Sequence, residues 1–263
     1  RFEFLGWCVV GVGFLITTYY AIVMSWCWNY SLLSVWQAWG DDPKGYFFTS
    51  FLQLSDAGAL PGGWGKLSGA ILLGSALSWI AVIACIWRGV RTMSKIVHFT
   101  VIGPWVLLLL FVARGLTLDG AWIGLRYYLL PQGEWWKFLL SGQTWIQAYT
   151  QVFFSLSIGF GIMFAYGSFL DRETDIVKNA FVIGIADSLT AFVAGLAVFS
   201  ALGHLASLPG PGAVPVDQWM GSSLGIAFIA YPKLISAIPL GFILGPLFFL
   251  MLLLPAIDSA FSL

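Results

Sequence analysis

Residues 151–161 read QVFFSLSIGFG, and residues 162–170 continue as IMFAYGSFL. The stretch enters an apolar environment, then places two serines and two glycines in its middle, then turns apolar again. Two readings are open. In one, a continuous helix uses small residues so that a neighbour can approach closely. In the other, the helix is broken at membrane depth, where unwound backbone is tolerable only if it lines a cavity or is buried in protein. A break frees carbonyls that can hold an ion, and exposes N–H groups that can hold an anionic substrate group.

The rest of the chain places this stretch in a bilayer. Of 263 residues, 59% are hydrophobic and 9% charged, with mean hydropathy +0.89. Soluble domains carry about 25% charge, so the composition is that of an integral, multi-pass protein of a cell membrane. The formal net charge is zero and the pI about 6.9, which gives no electrostatic footprint for nucleic acid. Fourteen Trp and 22 Phe suit lipid-facing surfaces and interfacial belts. Six stretches have the roughly 20 apolar residues a span needs: 4–33, 67–87, 96–115, 146–169, 177–203 and 238–263. None alternates with a period of two, so the expected fold is all-α and not a β-barrel. The chain opens on Arg1 and stops inside an apolar run at Leu263, which reads as a fragment of a longer protein.

Positive charge gathers in 87–95 (Arg88, Arg91, Lys95) and 171–179 (Arg172, Lys178), so both loops are expected on the cytoplasmic side. The long Gly-, Pro- and Trp-rich connections are then external. Residues 207–219 cannot form one helix, since Pro209, Pro211 and Pro215 interrupt them. Cys8, Cys27 and Cys85 sit in apolar runs without CxxC pairing and read as buried thiols. His98 and His204 have no ligand partners nearby in sequence. The NYS at 29–31 reads as a chance sequon at a helix end, and GFILG at 241–245 as close helix packing. No triad, metal spacing or phosphate loop points to an enzyme or an organic cofactor.

Two acids lie within apolar stretches: Asp187 in VIGIADSLTAFVAG and Asp258 in LLLPAIDSAFSL. A charge at the bilayer centre costs about 2.5–3.5 kcal/mol on insertion scales. Each acid therefore needs a cation, a proton or water. A protonated acid bonded to a neighbouring helix is one reading and a bound cation the other. Each is followed by a serine, and hard oxygen donors suit alkali or alkaline-earth ions.

Taken together, TTYYAIVMSW (17–26), LTLDGAWIGLRYYLLP (116–131), QVFFSLSIGFG, GIAFIAYP (225–232) and LLLPAIDS (252–259) resemble the neurotransmitter:sodium symporter family, in its bacterial type. The likeness covers essentially the whole chain and corresponds to the family's third to eighth transmembrane helices. It implies part of an inverted-repeat transporter bundle: residues 1–263 as one partial transmembrane domain, with helices missing at both ends. It also implies symport of an amino acid with sodium by alternating access. The alternative is a non-transporting membrane subunit or receptor-like relative that keeps the fold.

On that resemblance, Tyr20 matches a hydroxyl that binds the substrate carboxylate. Ile16, Val23, Phe154, Ser155, Ser157, Phe160, Ser259 and Leu263 match pocket positions, Phe154 also being the aromatic lid and Gln151 a residue of the external gate. Ser155 and Asp187 fall on a first sodium site; Pro255 (by its carbonyl), Asp258 and Ser259 fall on a second. The chain also departs from the family's pattern. Asp187 replaces a usual Asn, and Ala191 a serine that helps bind chloride in animal members. Gly89 is followed ten residues on by Phe99, with the proline later at Pro104, and Phe169 stands where a gating tyrosine is common. The mixture of aromatic walls and hydroxyls suits a zwitterion with a hydrophobic or aromatic side chain, and Asp187 beside Ala191 suits transport without chloride.

Overall fold

The computed structural model describes residues 3–54, 67–87, 90–131, 133–209, 213–219 and 223–262. Leu263, assigned above to the pocket, and Arg88 and Gly89 lie outside the described residues. Every regular element among those described is helical. The principal helices are α1 (Glu3–Leu33), α2 (Gly69–Ile86), α3 (Val90–Leu116), α4 (Ala121–Leu129), α5 (Trp135–Leu140), α6 (Gly142–Ser155), α7 (Ile162–Gly167), α8 (Ile176–Ser207), α9 (Tyr231–Ala237) and α10 (Gly241–Ser262). Five are long and apolar enough to cross a membrane: α1, α2, α3 from Ile96, α8 and α10.

The expected span 146–169 is the exception. It arrives as two short helices, α6 and α7, with Leu156–Gly161 non-helical between them. Broken helix, not continuous helix, is the reading the chain adopts.

Around it the bundle is organised by α10, which buries Gly241, Leu244, Gly245, Phe248, Phe249, Leu253, Leu254, Ile257, Ala260 and Phe261. It packs against α1, α2, α3 and α9, while α8 packs against α3 and α4. Outward faces carry large apolar side chains such as Trp7, Phe14, Phe181 and Val182, as lipid contact requires. Cys8 belongs to that exposed set, so only Cys27 and Cys85 are the buried thiols the sequence led one to expect. The GxxxG pair is used within the chain. A Cβ on Gly241 would lie 2.0 Å from the Ile235 carbonyl oxygen, and one on Gly245 would lie 2.6 Å from Ser34 Cβ. Asn29 is likewise occupied inside the bundle, donating to the carbonyls of Ser25 (2.7 Å) and Ala70 (2.9 Å).

One end of the bundle is closed by aromatic packing. Tyr30, fully buried, stacks on Trp39 at 5.7 Å and meets the edges of Phe51 (5.0 Å) and Phe228 (5.3 Å). Trp26 contacts Phe47 and Phe228 edge-on. Phe47 and Phe51 come from a π-helical segment, Tyr46–Phe51, and Phe228 from another, Ile226–Ala230. With Phe249 of α10, 5.2 Å from Tyr30, these rings join α1 and α10 to two connecting segments (each ring pair contributes about 0.5–1.5 kcal/mol beyond its buried area).

Candidate functional site

The break itself is built from three residues with positive φ: Ser157 (52°), Gly159 (85°) and Gly161 (82°). The backbone bonds that survive across it end on the carbonyls of Val152, Phe153, Phe154, Ser157 and Gly161. Among the described residues no backbone donor reaches the carbonyls of Ser155, Leu156 or Ile158. Gly161 is fixed twice over: its φ disfavours any side chain, and a Cβ there would stand 2.3 Å from Val9 Cγ1 of α1. Phe154 and Phe160 meet across the break edge to face, centroids 5.8 Å apart at 84°. Phe154 is exposed and Phe160 half-buried. Gln151 is exposed on α6, one turn before Ser155.

Each intramembrane acid meets a hydroxyl from another helix. Ser155, the last residue of α6, donates from Oγ to Asp187 Oδ1 of α8 at 2.7 Å. Thr100 of α3 donates from Oγ1 to Asp258 Oδ1 of α10 at 3.1 Å. The first pair joins two residues that the family resemblance put at one site. Thr100 was not expected from sequence: a threonine in an apolar helix carries no signal until the helix opposite is known. Both acids are half-buried. The one ion pair among the described residues joins Lys137 to Glu134, far along the chain from either acid, so neither carboxylate is neutralised by a lysine or arginine there. No group of three His, Cys, Asp or Glu side chains is assembled among the described residues.

The expected pocket residues of α1 share one face. Ile16, Tyr20 and Val23 are spaced four and three apart, all half-buried. Tyr20 lies beside Ser259 of α10, the residue next to Asp258. Pro255, interior to α10, has no N–H to give to the Met251 carbonyl and stands exposed, as does Ser259. Ser262 was also missed by the sequence reading. Its Oγ lies 2.6 Å from the Tyr166 hydroxyl of α7 and donates to the Asp258 carbonyl at 2.8 Å, so the second half of the broken helix is linked to the turn that carries Asp258.

Known proteins are similar to this chain in sequence and in fold. The sequence model of the sodium:neurotransmitter symporter family matches residues 38–263. An uncharacterized sodium-dependent transporter of Methanocaldococcus jannaschii is 34% identical over 263 residues, covering 99% of this chain and 52% of that protein. The human sodium- and chloride-dependent creatine transporter 1 is 40% identical over 210 residues, 80% of this chain and 32% of that one. The crystal structure of MhsT in complex with L-phenylalanine superposes with a TM-score of 0.73 at 28% identity, over 100% of this chain and 54% of that one. The chain thus spans about half the length of the first relative and about a third of the second. With a family match over most of its length and a shared fold that includes the broken helix, the chain belongs to the sodium:neurotransmitter symporter family.

Proposed function

We propose that the protein is a sodium-coupled importer of an amino acid with a hydrophobic or aromatic side chain, working by alternating access and without chloride. The observation that carries this reading is the break at Leu156–Gly161, with Phe154 and Phe160 on either side and Ser155 bonded to Asp187. Freed carbonyls beside a carboxylate form a set of hard oxygens suited to an alkali cation. Adjacent aromatic rings suit the apolar part of a substrate, and the Tyr20 hydroxyl suits its carboxylate. Ser155 and Asp187 would bind one sodium; Asp258, Ser259 and the Pro255 carbonyl would bind a second. Ile16, Val23, Ser157 and Phe160 would line the substrate pocket, with Gln151 and Phe154 at its external gate. That MhsT was crystallised with L-phenylalanine supports the aromatic preference.

A second reading has its own support. The 40% identity to the human creatine and taurine transporters favours a small osmolyte-like zwitterion. Uptake of labelled L-phenylalanine into proteoliposomes of the full-length protein, driven by a sodium gradient or by choline in its place, tests the proposal. We expect accumulation only with sodium, with leucine and tryptophan competing more strongly than creatine or taurine. Competition led by creatine or taurine would move the assignment to the osmolyte class, and accumulation without sodium would refute coupling.

A further inference from the structure

We propose that Thr100 is a positioning residue for cation binding at Asp258: its hydroxyl holds the carboxylate in the orientation that meets the ion. The inference rests on the reading of Asp258 as part of a sodium site.

Three observations converge on it. Thr100 is buried, with 3% of its surface exposed, so its hydroxyl has no bulk water to bond. It reaches across to Asp258, the single charged residue of α10, at 3.1 Å. And the helices are in close register there. A Cβ on Gly103 would lie 3.4 Å from Leu254, and Phe111 meets Phe248 at 5.6 Å. Residue numbers rise along α3 as they fall along α10, so the two run antiparallel and Thr100 is carried to the level of Asp258.

A threonine needed only for helix packing would have no use for this contact. Its proton already has two acceptors within α3, the carbonyls of Ile96 at 3.2 Å and Val97 at 3.4 Å. The three contacts share this one proton, the one to Asp258 is the shortest, and it constrains one oxygen of the carboxylate. With Oδ1 held by Thr100, Oδ2 is left to meet a cation together with Ser259 and the Pro255 carbonyl, both on the exposed part of the same turn. Pro104 adds a backbone element. It has no N–H to give to the Thr100 carbonyl, so α3 is loosened at the residue that touches Asp258.

The test is binding of radiolabelled sodium to the purified full-length protein, which needs no knowledge of the substrate. Thr100→Val keeps the branched shape and removes the hydroxyl; Thr100→Ser keeps the hydroxyl. We expect T100V to raise the apparent Kd for sodium about tenfold, the scale for losing a donor to a charged acceptor, and T100S to restore parental affinity. Should T100V fail to insert, T100A removes the same hydroxyl without adding a methyl group to a buried position. Parental sodium affinity in the hydroxyl-free variant would overturn the inference, as would a T100S as weak as T100V. A parent protein that binds no sodium would overturn the proposed function, and the inference with it.

Discussion

The proton of Thr100 has three acceptors within reach, and this decides what happens when one is removed. In Asp258→Ala the hydroxyl still has the carbonyls of Ile96 and Val97, so no buried donor is orphaned. The variant also sheds the insertion cost of an intramembrane acid. It should therefore insert and fold as well as the parent while losing almost all sodium-dependent uptake, with any residual activity half-saturating at sodium concentrations more than about tenfold higher. Surface-biotinylated protein and uptake measured on the same cells separate the two effects. Unchanged uptake would remove Asp258 from the sodium site. Sequence already marked this residue, because an acid among leucines stands out at any level of analysis. Thr100 and Ser262 did not stand out, since hydroxyls in apolar helices commonly bond their own backbone, and only the facing helix gives them a second role.

Among the elements, the α6–α7 break is the one on which the proposed function rests. Gly161→Ala places a Cβ against Val9 at a φ of 82°. A non-glycine residue held there costs about 1–2 kcal/mol in backbone alone, and Val9 must shift as well. The expected result is a lower unfolding temperature for the detergent-purified protein together with reduced uptake. Gly184→Ala, in mid-α8 with open space around its Cβ position, is the control and should match the parent or exceed it. Equal behaviour of the two variants would show that the unwound geometry carries no constraint. The break was half legible in QVFFSLSIGFG. Ser157, Gly159 and Gly161 permit unwinding but also permit close packing, and the choice was made by α1 at Val9 and by α8 at Asp187.

For the molecule as a whole, the issue is charge balance in a low-dielectric interior. Asp187 contributes a fixed carboxylate beside Ser155, and Ala191, one turn further along α8, offers no hydroxyl to an anion. A chloride near that carboxylate would be repelled, so under the proposed function a built-in negative charge would take the place of a bound one. Uptake by the full-length protein should be the same in gluconate as in chloride. The double variant Asp187→Asn, Ala191→Ser should gain a measurable chloride requirement. Loss of parental uptake in gluconate would place this chain with the relatives whose names record chloride dependence.

By itself the sequence determined the environment, the class of fold and the family. Apolar runs of spanning length, acids stranded within them and a glycine–serine interruption are local properties, set by how side chains and backbone partition between water and hydrocarbon. Five of the six expected spans stand close to where composition put them. The tertiary structure decided the partners. Ser155 reaches Asp187 across 32 positions, and Thr100 reaches Asp258 across 158. Tyr20 meets Ser259, and Gly161 meets Val9, only when α1 lies against α10 and the broken helix. A hydroxyl's role depends on which helix faces it, and that is fixed by packing between segments distant in the chain.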